Sequence, residues 1–175
     1  AWEGVLILNY HRIGDPHRSL LDRNLWSASQ ETFDYQVSLA AKNFDIIGLD
    51  DLEQALKQPH GRYVMFTFDD GYRDNYTHAY PVLKRHNVPC TFFLTTGFID
   101  AAQVPWWDEI AWMVRTSPLT ALDVNRWTST PVPFEEPHRE KAIRRLLNVY
   151  KGIPTETTSE YMEFLSDVLK TGRCP

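Results

Sequence analysis

Cysteine is scarce in this chain: Cys90 and Cys174 are the only two among 175 residues. One lies in the apolar run Val88–Leu94 and the other at the far end. That does not make a disulfide framework, and it excludes neither a reducing nor an oxidising compartment. Cys90 reads as a small buried residue. No apolar stretch is long enough to span a membrane. No signal peptide is visible. The chain opens at Ala1 and enters a strand almost at once, in the manner of a trimmed or mature fragment, so the missing signal says little about location. Excess positive charge is lacking too: the net charge is −5, which argues against general nucleic-acid binding. Repeats and low-complexity segments are absent. Hydrophobic residues make up 43% of the chain and aromatic side chains are plentiful, enough for a packed core rather than disorder. The length favours one domain, or one domain with a sizeable insertion.

The first two-thirds of the chain alternates strands with helices. "GVLILNYH" (Gly4 to His11) is a continuous apolar run with a polar end, the pattern of a parallel strand buried on both faces. "ETFDYQVSLAAKNF" sets Phe33, Val37, Ala40, Ala41 and Phe44 near one helical face. "DIIGL" is a short strand. "DDLEQALK" predicts a helix with Asp50 as N-cap and Glu53 completing a capping box. "YVMFTF" (Tyr63 to Phe68) is a buried strand. "NYTHAYPVLKRHN" predicts a helix with Tyr76, Ala79 and Leu83 inward and Pro81 near its start or at a kink. "CTFFLTT" is the fourth strand. This order implies βαβ units, a parallel sheet and an α/β fold. A helix follows from Trp106 or Trp107, then a loop or short extended pieces over Ser117–Pro137. Two helices close the chain, one presenting Ile143, Leu146, Leu147 and Tyr150, the other Tyr161, Phe164, Leu165 and Val168. The expected division is an α/β part over residues 1–116 and a loop with a helical hairpin over 117–175.

In α/β sheets, ligands bind beyond the carboxyl ends of the strands. Asp69 and Asp70 stand where "YVMFTF" ends, and His11 stands where "GVLILNY" ends. Adjacent carboxylates in a partly desolvated place repel. Either one takes a proton or a cation sits beside them. With a divalent metal, Asp70 could bind the ion while Asp69 acts as general base on water. Gly71 permits a sharp turn and a close approach of substrate to backbone. Asp-Gly is also an ordinary turn, and that alternative stays open on these residues alone.

"TFDDGYRDNY" resembles the first motif of the polysaccharide deacetylases, the NodB-homology group of carbohydrate esterases. "LNYHRIGD" is similar to the strand that opens many members. "YPVLKRHNVPCTFFLTTGFI" is similar to their next segment, and "WWDEI" to a subgroup with an insertion there. The resemblance covers about Gly4 to Trp112. It implies a parallel-strand irregular (β/α) barrel, incomplete in this chain and followed by a helical-hairpin insertion. It implies metal-assisted hydrolysis of an N-acetyl group on an amino-sugar polysaccharide or oligosaccharide, in exopolysaccharide or cell-wall processing. A periplasmic or extracellular setting is then favoured over a cytoplasmic one. By the same resemblance Asp69 is the base and Asp70 a ligand of a divalent metal, zinc first. His11, Gly71 and Tyr72 line the site, with a backbone N–H such as that of Tyr72 facing the oxyanion.

The family's second motif supplies two metal-binding histidines spaced H-x-x-x-H, which puts both on one helical face. Here the histidines are His11, His17, His60, His78, His86 and His138, and no two have that spacing. The expectation is therefore the N-terminal part of a longer enzyme. It would be poorly active or inactive alone, with the rest of the barrel or another subunit as partner. Trp106 and Trp107, with Asp108 beside them, are candidate sugar-binding residues; core packing explains the tryptophans equally well. Arg73 and Asp74 are expected to pair locally or to order the motif's turn. Arg139, Lys141, Arg144 and Arg145 form a solvated helix face or meet an anionic polymer. Two other readings remain: a carbohydrate-binding or scaffold domain without catalysis, and a two-carboxylate glycoside hydrolase. The latter is disfavoured because neighbouring residues at one turn do not readily straddle a glycosidic bond.

Overall fold

A computed structural model describes residues 2–58, 60–99 and 103–175. They form two compact units, one from the described residues within 2–17 and 24–99 and the other from residues 18–23 with 103–175.

The first unit is α/β, with all its strand pairs parallel. Its strands are β1 (Gly4–Tyr10), β2 (Arg12–Ile13), β3 (Trp26–Ala28), β4 (Asp45–Ile46), β5 (Arg62–Phe68) and β6 (Cys90–Phe92). Its helices are α1 (Gln30–Asn43), α2 (Leu52–Leu56) and α3 (Tyr80–His86). β5 is the centre of the sheet. β1 runs along the whole of one edge, from Gly4 beside Arg62 to Tyr10 beside Phe68. β4 and β6 share the other edge, β4 against Tyr63 and Val64 and β6 against Phe66 to Phe68.

Strand alternation sorts the side chains between two layers. Val64, Phe66 and Phe68 join Tyr10 on the face covered by α1 (Phe33, Val37, Ala40) and α3 (Val82, Leu83). Met65, with Tyr63 and Val5, packs instead with Ile47, Leu52 and Ala55 around α2. Burial of each large side chain here contributes roughly 1.5–3 kcal/mol. Thr67 and Asp69 continue the second series, so the chemistry emerges on the face opposite α1 and α3.

Several expectations are corrected. β1 is not buried on both faces: Leu6 is 43% and Ile7 50% exposed. Among the described residues β5 is the only main-sheet strand paired with β1, and Leu6 and Ile7, as consecutive residues, point to opposite faces, so both sides of this edge strand are open there. Phe93 and Leu94, just past β6, are likewise exposed. The described strands do not close into a barrel. The turn before α2 is built on Gly48, whose N–H donates to Asp51 at 3.4 Å, while Glu53 pairs with Lys57 at 2.6 Å instead of capping. The helix expected from Asn75 begins as a wide turn over Asn75–Ala79, with the Tyr80 N–H reaching back to the Asn75 carbonyl. Pro81 has no N–H for the Thr77 carbonyl, and the wider turn absorbs that loss. The extra residue rotates the helix, which leaves Ala79 and Leu83 inside but turns Tyr76 outward, 73% exposed.

The second unit is mainly helical: α4 (Trp106–Thr116), α5 (Arg139–Gly152) and α6 (Thr158–Val168). β7 (Ala121–Leu122) and β8 (Val132–Pro133) pair antiparallel within the segment expected to hold loop or short extended pieces. Ile110, Met113, Ile143, Leu146, Tyr161 and Leu165 form its core. The buried Tyr161 hydroxyl donates to the Leu146 carbonyl at 3.0 Å. Tyr150, expected inward, is partly buried against this core.

Candidate functional site

The β1–β5 register sets Asn9 beside Thr67, one step before the strand ends. Thr67 Oγ1 donates to Asn9 Oδ1 at 3.0 Å, and Asn9 Nδ2 donates to Asp69 Oδ2 at 2.9 Å. The first bond fixes which end of the Asn9 amide faces the carboxylate. The backbone ladder runs on into the site, since the Asp69 N–H donates to the Tyr10 carbonyl at 3.0 Å. His11 Nε2 comes within 3.9 Å of Asp69 Oδ2, with the two side chains 36% and 35% exposed. An oriented carboxylate, partly exposed at a strand end beside an imidazole, can take a proton from water.

Asp70 and Gly71 follow with φ of 71° and 73°. Two successive left-handed residues reverse the chain as it leaves β5, and aspartate is among the few non-glycine types that tolerate this region. A Cβ on Gly71 would stand 2.8 Å from Leu94 Cδ2. Burial pushes the Asp70 carboxyl above its ordinary pKa; nearby His11 opposes the shift and the charge of Asp69 adds to it. The repulsion foreseen for paired aspartates is the smallest of these three influences.

A structural or catalytic zinc needs at least three protein ligands. Among the described residues no three His, Cys, Asp or Glu side chains are grouped to hold an ion. The residues present do not fit a divalent metal on their own.

Behind the carboxylates, side chains from the wide turn grip the segment that follows β1. Asp74, nearly buried, accepts from Arg12 Nε at 2.8 Å and from the Ile13 N–H at 3.1 Å. The Arg12 guanidinium lies between the Trp26 and Tyr72 rings, 3.7 and 4.3 Å from their centroids. Asn75 Nδ2 donates to the His11 carbonyl at 2.8 Å, and the His11 N–H donates to Ser27 Oγ at 3.2 Å.

Asp69, Asp70, Gly71 and His11 thus converge, with the Tyr72 ring turned onto Arg12. Asn9 and Asn75 escaped the sequence reading. A signal for Asn9 was available, because it is a polar residue two before His11 and hence on the same strand face. Asp74 orders the motif's turn as expected, but through Arg12 rather than Arg73. The remaining candidates belong to the second unit. Trp106 stacks on Tyr150 with ring centroids 4.0 Å apart, and Trp107 meets Trp106 edge-on. Asp108 is buried and accepts the Asp22 N–H at 2.9 Å. His78 and His86 are bound locally, to Gln30 at 3.2 Å and to Asp34 at 2.6 Å. In the basic cluster, Arg139 pairs with Glu136 at 3.1 Å and Arg145 bonds Thr130 and the Pro131 carbonyl.

The fold and these strand-end groups define a class: a parallel α/β sheet carrying an oriented carboxylate beyond β5. Comparison with known proteins narrows it. Residues 56–119 match the polysaccharide deacetylase family model. A 38-residue stretch is 53% identical to "Putative polysaccharide deacetylase YxkH" of Bacillus subtilis, covering 22% of this chain and 14% of that protein's length. Residues 56–119 are therefore similar to polysaccharide deacetylases. Among solved structures, IcaB from Ammonifex degensii is similar at 22% identity and a TM-score of 0.47, over 94% of this chain and 81% of that one. BC0361, a polysaccharide deacetylase from Bacillus cereus, is similar at 17% identity and a TM-score of 0.47, over 91% of this chain and 56% of that one.

Proposed function

We propose that this chain is part of a hydrolase that removes N-acetyl groups from an amino-sugar polysaccharide, with Asp69 as general base. The observation that carries this reading is the fixed Thr67–Asn9–Asp69 series at the strand ends, inside the segment matched to the deacetylase family. Asn9 holds the carboxylate in one orientation. Asp69 takes a proton from the attacking water as its oxygen bonds to the amide carbonyl carbon. The product is a tetrahedral intermediate, which collapses to acetate and a free amine as the proton taken up by Asp69 passes to the leaving nitrogen. The His11 imidazole, at 3.9 Å, lies beside the Asp69 carboxylate and lines the place where that water would sit.

An amide carbonyl also needs polarising. The divalent ion that the family resemblance implies lacks a ligand set among the described residues, so no step is routed through it. The ligands that complete it, and the strands that cover β1 and β6, come from further polypeptide or from another subunit. The exposed edge residues Leu6, Ile7, Phe93 and Leu94 support that partner. Exopolysaccharide or cell-wall polymer outside the cytoplasm is the substrate setting we favour.

The test is acetate release from N-acetylglucosamine oligomers with added zinc, for the chain alone and for the chain joined to its complementary polypeptide. Expected are little or no release from the chain alone, activity from the completed form, and a loss of about 10²–10⁴-fold in Asp69→Asn. Full activity in Asp69→Asn would refute the reading. Oligosaccharide binding without turnover in the completed form would point instead to a non-catalytic carbohydrate-binding role.

A further inference from the structure

His11 lies one residue beyond β1, and neither of its peptide groups is held by the main sheet's ladder. Its N–H donates to Ser27 Oγ at 3.2 Å, and its carbonyl accepts from Asn75 Nδ2 at 2.8 Å. Asn75 is an expensive choice for this place. It is 3% exposed, and its Oδ1 is buried with no hydrogen-bond partner among the described residues. An unmet buried acceptor costs about 1–3 kcal/mol, whereas an apolar side chain of similar shape would avoid the penalty. What Asn75 supplies in return is the Nδ2 donor, aimed at the His11 carbonyl and, more weakly at 3.4 Å, at Asp74. Asp74 in turn holds the next two residues, through the Arg12 side chain and the Ile13 N–H. Three consecutive residues are thereby fixed by two neighbours on the wide turn that follows the aspartates.

We infer that Asn75, backed by Asp74, is a positioning residue. It sets the backbone of His11 so that the imidazole faces Asp69, coupling the loop after β1 to the turn after β5. The inference rests on the proposed role of Asp69 for its catalytic meaning, but the geometry can be tested without catalysis. The chain is labelled with ¹⁵N-histidine, and the His11 ring signals are assigned with His11→Ala. Asp69→Asn shifts those signals in the otherwise unaltered chain, because the two groups are neighbours. In Asn75→Ala the same substitution is expected to produce less than half that shift, with the amide spectrum still dispersed. A residue that only stabilises the fold would lower the melting temperature and leave the His11 response intact, and an unchanged response overturns the inference. If Asn75→Ala does not fold, Asn75→Ser, which retains a polar group, is read the same way.

In the completed, active form, Asn75→Ala is expected to lower kcat/KM by up to about a hundredfold, the scale of a 1 Å misplacement. In a His11→Ala background it should lower it little further. Equal losses in both backgrounds also overturn the inference. If no form releases acetate, the deacetylase reading fails, and the ring-signal experiment still decides the role of Asn75.

Discussion

Replacing Asp74 by alanine removes the acceptor shared by Arg12 Nε and the Ile13 N–H. The Arg12 and Asp74 side chains are 15% and 11% exposed, so neither regains water by a small movement. Breaking a buried ion pair from one side costs about 3–5 kcal/mol, because the remaining charge is stranded. Among the described residues Arg12 Nη1 has no hydrogen-bond partner even with Asp74 present, which leaves the guanidinium little reserve. The orphaned Ile13 amide adds about 1–3 kcal/mol. Against this, a larger displacement of the long Arg12 side chain toward solvent offsets part of the loss, while its contacts with the Trp26 and Tyr72 faces are common to parent and variant. The net expectation is a loss of about 3–4 kcal/mol, a large share of the roughly 5–15 kcal/mol that stabilises a domain. Urea unfolding gives a first measure. The two units can unfold separately, so the decisive measurement is native-state hydrogen exchange at β1 and β5 amides. Arg12→Ala and the double substitution complete the cycle, with the double variant losing at least about 1 kcal/mol less than the sum of the singles. A loss below about 1 kcal/mol at those amides, the range of an exposed pair, would refute the argument.

Asp69→Asn should leave circular dichroism and melting nearly unchanged while abolishing acetate release in the completed form; an unfolded variant would show that the carboxylate is structural. Asp70→Asn should raise the unfolding midpoint at neutral pH. The Asp70 pKa is raised on folding, so ionisation of the folded chain is disfavoured. The resulting penalty is absent below the ordinary aspartate pKa of about 3.9 and develops as pH rises through the folded value. The difference between variant and parent should therefore close in acid, and a difference independent of pH would contradict this account. Leu146→Ala in the second unit should cost about 2–5 kcal/mol by calorimetry, since Leu146 is fully buried among Ile143, Tyr161 and Leu165.

β1 and β5 were legible because continuous apolar runs with a polar end have few other outcomes, and the site aspartates were found from their place after such a run. What the pattern missed came from contacts distant in sequence. That Leu6 and Ile7 are exposed depends on which strands flank β1, and apolar content alone does not report this. The outward turn of Tyr76 follows from Pro81 widening the helix start, a one-residue change that periodicity counting assumes away. Arg73 sits beside Asp74 in sequence, yet Arg12, sixty-two positions away, wins the carboxylate because two aromatic rings hold its guanidinium in place. The short β7–β8 pair has too few residues to show alternation.

The register of β1 on β5 also makes the site a check on its own assembly. Asn9 and Thr67 meet only when Gly4 lies beside Arg62, an alignment reached across nearly sixty residues of intervening chain. A slip of one residue would turn every β1 side chain to the opposite layer. Asn9 would then enter the aromatic layer of Phe33 and Phe66, and Tyr10 would face Asp69. A chain misaligned in this sheet would not present the oriented Asp69 carboxylate. On the role proposed for Asp69, acetate release by the completed form would also report how much of the population has paired β1 with β5 correctly.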